Sequence, residues 1–353
     1  MRLNQPPRHW LLMILSRPAR ATALLGAMLW LAAATPPAMA AGLAFVINSG
    51  GASISVVDMA TQKEIRRIPA LREPHHYALT PDGKSLLIGD TVGNELLFLD
   101  PATGALQRRM PCADPYQLWF SPNGKFLVVN GLARNQVDVY DGSSLQLLKR
   151  FPISSMPSHL AYSPDSAMVY VTLQGTDRLA AIDLNRLAVV WNEKVGSTPA
   201  GVLWHDGKLL VADMGTDSLA EVDPATGHVV NHIVTGKGAH QLFLSPDGKI
   251  IWVNNRVAGT TEALDAATLK PIRTYNIPGG PDDMAFAPDG RIWITRRWAE
   301  KVAVLDPATG DYQTIDVGRS PHGIFLNPAA ELPAGVAEAQ GPSLWHSLLR
   351  RVP

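Results

Sequence analysis

One cysteine, Cys112, stands in 353 residues, so no internal disulfide can form. There is no Cys-x-x-Cys-His, which excludes a covalently attached c-type haem. There is no Gly-x-Ser-x-Gly elbow, no His-Glu-x-x-His and no Walker loop. No serine–histidine–aspartate set can be assembled by spacing. No segment keeps a helical period. Net charge is also absent, with 31 basic and 31 acidic side chains. What remains is an apolar chain, 46% of it hydrophobic residues, which is ample for a large core.

The first 40 residues lack acids altogether. They carry Arg2, Arg8, Arg17 and Arg20, then an apolar stretch over 21–34, then Ala38-Met39-Ala40. A basic segment, a short apolar core and an A-x-A site predict a Sec-type signal peptide over 1–40. Fourteen apolar residues are short for a bilayer span, so no membrane span is expected after cleavage. The mature chain would hold 27 basic and 31 acidic groups, a net of −4. Such a protein has no general pull on nucleic acid. The expected address is the periplasm or the exterior.

The chain beyond residue 40 is a ruler. Asp58, Asp100, Asp141, Asp183, Asp223, Asp265 and Asp306 each close an apolar run, at gaps of 40 to 42 residues. Turns of the type Ser-Pro-Asp-Gly recur in step, as in Thr80-Pro81-Asp82-Gly83 and Ser245-Pro246-Asp247-Gly248. Proline presets φ, aspartate bonds its own backbone and glycine accepts positive φ. A second turn reads Asp-Pro-Ala-Thr-Gly at 100–104, 223–227 and 306–310. Four short antiparallel strands per repeat predict an all-β fold, a seven-bladed β-propeller over 42–330. The segment 321–328 matches only an opening strand, so it should complete the first blade and remove the free edges. Residues 331–353 fall outside the repeat and read as a flexible tail.

The repeats resemble the YVTN family of periplasmic β-propellers. Val169-Tyr170-Val171-Thr172-Leu173 differs from that family's signature by one residue, and 126–130 and 251–255 are looser copies. The resemblance covers about 42–330 and implies the fold. Relatives with similar repeats include haem d1-carrying and haem d1-maturing propellers, and some lactonases have seven blades. The resemblance therefore admits a haem d1-like tetrapyrrole or a metal-dependent hydrolase.

Aligned on the turn proline, the pairs just before each innermost strand are His75-His76, Tyr116-Gln117, Ser158-His159, Pro199-Ala200, His240-Gln241, Asp282-Asp283 and His322-Gly323. The fourth is approximate, because its turn is one residue short. Equivalent positions in a closed ring converge on its axis. His75, His76, His159, His240, His322, Asp282 and Asp283 would then surround one mouth of the channel. Imidazoles with carboxylates suit a divalent transition metal, an axial haem contact or acid–base work. Rim histidines capping nearby backbone are the structural alternative.

The following polar loop carries Asp90, Arg134, Arg178, Asp213, Arg256, Arg296 and Arg297. Arg134, Arg256, Arg296 and Arg297 would suit a carboxylate or phosphate. Ordinary solvated loop charge is the alternative there. Trp119, Trp252 and Trp293 lie in strand runs and should pack between blades, whereas loop residue Trp298 is freer to meet a ligand. Cys112 should be an idle thiol. The expected role is binding, not catalysis, with a monomeric propeller presenting its mouth to a small anionic ligand, a metal or a periplasmic partner.

Overall fold

The computed structural model describes residues 41–330. The predicted signal segment 1–40 and the predicted tail 331–353 lie outside the described residues. Twenty-eight strands form seven four-stranded antiparallel sheets. Blades 2 to 7 are sequential, spanning 74–111, 117–152, 157–194, 199–234, 239–276 and 281–316. Blade 1 is composite. Its inner strand is Pro321–Asn327, hydrogen-bonded to Leu43–Asn48, which pairs in turn with Ser53–Asp58 and then Lys63–Pro69. The predicted closure is therefore present, and the inner edge of Leu43–Asn48 is covered.

Turn chemistry explains the ruler. Asp58, Asp100, Asp141, Asp183, Asp223, Asp265 and Asp306 each accept a backbone N–H two or three residues on. In the first turn type, Thr80, Ser121, Ser163 and Ser245 donate to the acid or amide two residues later. Gly83 and Gly248 sit at φ near 70° with open space around them, so backbone conformation alone requires glycine there.

Apolar side chains fill the spaces between blades. Seven separate clusters of buried residues occur among the described residues, one for each pair of neighbouring blades. One joins blade 7 to blade 1, where Trp293 packs with Ala44, Val46, Val57 and Ile324. Trp252 fills the interface between blades 6 and 7. Trp119 does not behave as its strand position suggests. It is 40% exposed and lines an axial cavity, because inner strands also face the channel. Cys112 is buried between blades 2 and 3, against Tyr140 Oη at 3.5 Å, and burial pushes its thiol up to about 11.

Candidate functional site: a buried imidazole cluster on the axis

The inner strands position the site. They are Pro74–Leu79, Gln117–Phe120, Pro157–Tyr162, Pro199–His205, Ala239–Leu244, Pro281–Phe286 and Pro321–Asn327. The paired positions lie at the head of these strands, except Tyr116, which precedes its strand. Six of the seven strands have a register shift there, between Pro74 and Tyr77 for example, and between Pro281 and Met284. A bulge places two residues opposite one and re-aims their side chains. Blade 5 corrects the alignment. Its shift lies between Pro199 and Val202, so its pair is Ala200-Gly201, not Pro199-Ala200.

The bulge needs polar support, which the sequence reading missed. Thr172 Oγ1 accepts from His159 N and donates to Ala200 O in the next blade at 2.7 Å. Thr295 serves Asp283 N and His322 O in the same way. Asn130 and Asn254 donate to Ser158 O and Asp282 O. All four are fully buried on second strands. Their only sequence signal is one polar residue inside an apolar strand, as in Val171-Thr172-Leu173.

The bulges bring the rings into contact. Ring centroids are 3.8 Å apart for His75 and His322, 4.6 Å for His76 and His322, and 5.0 Å for His75 and His76. His159 lies 5.4 Å from His76 and 5.2 Å from His240, and Tyr116 stacks on His75 at 4.0 Å. The cluster expected round the channel mouth is a buried plug. Every one of these histidines is at most 3% exposed. Six bulges converging with the seventh inner strand on one axis leave the rings no room for bulk water.

Asp282 organises one side of the plug. It lies 2.6 Å from His322 Nδ1 and 3.0 Å from His240 Nδ1, and it pairs with Arg256 and with Arg297 Nη1 at 3.2 Å. Arg256 donates to His240 Nε2 at 2.6 Å, which puts the His240 proton on Nδ1. That Nδ1 is close to Asp282 but points off the hydrogen-bond direction. Two groups of opposite polarity, Asp282 and Arg297, crowd His322 Nδ1. Arg297 can only donate, which calls for a lone pair on Nδ1, whereas the Asp282 oxygen at 2.6 Å calls for a proton there, so either tautomer of His322 has a partner at Nδ1. Burial opposes ionisation of Asp282, yet Arg256, His322 and His240 outweigh it and hold the carboxyl well below its usual range.

Asp283 is different, although adjacent. It leaves the cluster and straps two blades. It accepts Met284 N at 2.9 Å and Ile324 N of blade 1 at 3.2 Å. Burial pushes it up to about 8, so it is mostly protonated at neutral pH. The two aspartates do not form a carboxylate pair.

Burial is the largest cause lowering all five histidines. Neighbouring imidazoles add to it at His75, His76 and His159, and Arg256 adds to it at His240, which falls to about 4. The imidazoles are thus neutral at pH 7. Several ring nitrogens also lack partners. Buried His75 Nδ1 and His159 Nε2 have no hydrogen bond among the described residues.

Of the four candidate arginines, Arg256 and Arg297 reach the cluster. Arg296 turns away and donates to Pro278 O at 2.6 Å, and Arg134 donates to Asn94 Oδ1 at 3.0 Å. Asp90 caps backbone amides of Arg72 and Glu73. Asp213 is buried, and desolvation raises it to about 7. Arg178 donates to Asn192 O. Trp298 is exposed and lies over Gly280. Beside the plug is a cavity of about 310 Å3, lined by His76, Trp119, Gln241, Phe243, Asp283 and Phe286 among others.

A family model described as a YNCE-like beta-propeller matches residues 11–331. No curated protein matches the chain in sequence. Similar solved structures include a functionally unknown protein from Desulfotomaculum acetoxidans, with a TM-score of 0.71 and 13% identity over 81% of this chain and 99% of that one. Hydrazine synthase of Kuenenia stuttgartiensis gives 0.62 and 22% over 71% and 88%. The dihydro-heme d1 dehydrogenase NirN, in complex with DHE, gives 0.61 and 15% over 80% and 75%. At these identities the likeness is one of fold.

Proposed function

The chain belongs to the YNCE-like β-propeller family, and we propose that it is an exported binding protein whose axial cluster takes a small anionic ligand. One observation carries this reading: two guanidiniums, Arg256 and Arg297, converge on the single carboxylate of Asp282. One positive charge is left over beside neutral imidazoles. Glu73 also feels the charge of Arg297, but no ion pair joins the two among the described residues. Both guanidiniums keep a solvent-facing part, 17% and 23% exposed, through which a ligand could reach them. Arginine beside partnerless ring nitrogens suits a carboxylate-bearing ligand.

The packing favours a small ligand over a tetrapyrrole, because a macrocycle would have to part rings now in contact. Binding is favoured over hydrolysis because Asp282 is locked in ion pairs and Asp283 straps backbone. Export and a periplasmic address rest on the basic-apolar-AxA pattern of 1–40. Among the described residues no helix is long and apolar enough to cross a membrane.

Calorimetric titration of the purified protein with succinate, as a probe dicarboxylate, tests the reading. Saturable binding should fall 10- to 100-fold in Arg256→Gln, since a charged hydrogen bond is worth about 1.5–3 kcal/mol. No saturable binding of succinate or of inorganic phosphate to folded protein would count against it.

A further inference from the structure

We propose that His75, His76 and His322 form a binding site for a zinc-class divalent cation, with Asp282 holding His322 in place. One nitrogen from each of the three rings lies within 4.8 Å of the others. His322 Nε2 and His76 Nε2 are 3.2 Å apart. Two lone pairs at that distance repel unless a proton or a cation lies between them. The edge of a tetrahedral Zn–N site, with bonds of 2.0–2.1 Å, is about 3.3 Å. The His76–His322 spacing is therefore already that of two ligands on one ion, and His75 needs to close by no more than about 1.5 Å.

The outer partners are those a metal site needs. A ligating histidine commonly gives its other ring proton to a carboxylate, which fixes its tautomer and orientation. Asp282 stands 2.6 Å from His322 Nδ1 and leaves Nε2 facing His76. His75 offers an Nδ1 that is buried without a hydrogen-bond partner. Orphaned polar atoms in a packed interior call for an explanation, and a missing ion is one. The donors come from two blades, with His76 and His322 separated by 246 positions in the chain, so the site exists only in the closed ring.

Three neutral nitrogens are a common open set for zinc, leaving a position for water or an anion. Carboxylates dominate calcium and magnesium sites, and none belongs to this triad. Access is available because His76 also lines the 310 Å3 axial cavity. Arg256 and Arg297 make a bare dication costly here. Asp282 offsets one charge, and an anion on the open position would offset more. The cation and the anionic ligand should therefore bind cooperatively, so this inference deepens the proposed ligand site and in that respect rests on it.

The test is titration of the chelator-treated, folded chain with zinc alone, followed by metal analysis after desalting and by visible absorption with cobalt(II). One equivalent per chain is expected. His76→Ala and His322→Ala should abolish it, and Asp282→Asn should weaken it 10- to 100-fold. If a variant fails to fold, nitrogen-15 spectra of wild-type imidazoles decide: zinc must shift His75, His76 and His322. Absence of stoichiometric zinc, or ring signals that do not move, overturns the site. Succinate titration of the metal-free chain separates the two readings. Succinate binding without zinc binding leaves the anion site standing and removes the metal. Zinc binding without succinate binding does the reverse.

Discussion

Asp282 and Asp283 are neighbours with identical side chains, and the fold gives them opposite electrical states. Replacing each by asparagine should therefore have unequal consequences, with different dependence on pH. Asp282 is 1% exposed and touches Arg256, Arg297, His240 and His322. Asparagine there would leave two partly buried guanidiniums facing a neutral amide. Breaking a buried ion pair costs about 3–5 kcal/mol. At roughly 2–4 °C per kcal/mol for a domain of this size, the melting temperature should fall by roughly 6–20 °C. The carboxyl of Asp282 is held below its unfolded value, so its stabilisation is complete above about pH 4 and is lost as pH falls through the folded value. The deficit of Asp282→Asn should thus be constant between pH 6 and 8.

At Asp283 the asparagine replaces a group that is already mostly protonated at pH 7. Its amide can still accept one of the two backbone bonds, from Met284 N or from Ile324 N. The cost should be near one hydrogen bond, about 1 kcal/mol, at pH 5. Because the folded-state value is raised to about 8, wild-type stability from this group declines as pH rises from about 4 to 8. The gap between wild type and Asp283→Asn should close and then reverse over that range, at up to about 1.4 kcal/mol per pH unit. Urea unfolding of both variants at pH 5, 6.5 and 8 provides the measurement. Equal deficits for the two variants, or a deficit below 1 kcal/mol for Asp282→Asn, would refute the assigned charge states.

Three further outcomes follow from the same geometry. The five axial histidines are neutral when folded, so unfolding at pH 6 should take up protons despite release from Asp213 and Asp283; stability from the histidines is lost as pH falls below about 6.5 toward the lowered folded values, and calorimetry in buffers of different ionisation enthalpy reads the uptake. Trp293→Ala, at a side chain 1% exposed between blades 7 and 1, should cost about 3–5 kcal/mol in the urea midpoint. Ending the chain at residue 320 removes the inner strand of blade 1 and bares the edge of Leu43–Asn48, so size-exclusion chromatography should show aggregation that the intact chain does not.

Much of the architecture is local and hence legible in one dimension. A strand-turn unit bonds mostly within itself: Asp141 caps Ser143 and Ser144, and Ser245 holds Asp247. Repetition of that unit every 40 to 42 residues counts the blades, and the orphan strand at 321–327 supplies the closure. The same ruler places His75, His240, Asp282 and His322 on one position of each pair, and His76, His159 and Asp283 on the other. What it leaves undetermined is set by distant neighbours. The two-residue bulges that aim the rings inward are supported by Thr172 and Thr295, which reach the following blade, and bulges have no spelling of their own. Arg256 and Arg296 look alike as loop cations, but one meets Asp282 and the other a carbonyl. The sequence by itself determined the seven blades, their closure and the list of residues near the axis. Only the tertiary structure decided that the ring is a buried plug and not a wet mouth, and that Asp282 is charged while Asp283 is protonated. The physical reason is that burial and charge at the axis are summed over seven blades at once, and His76 meets His322 across 246 residues of chain.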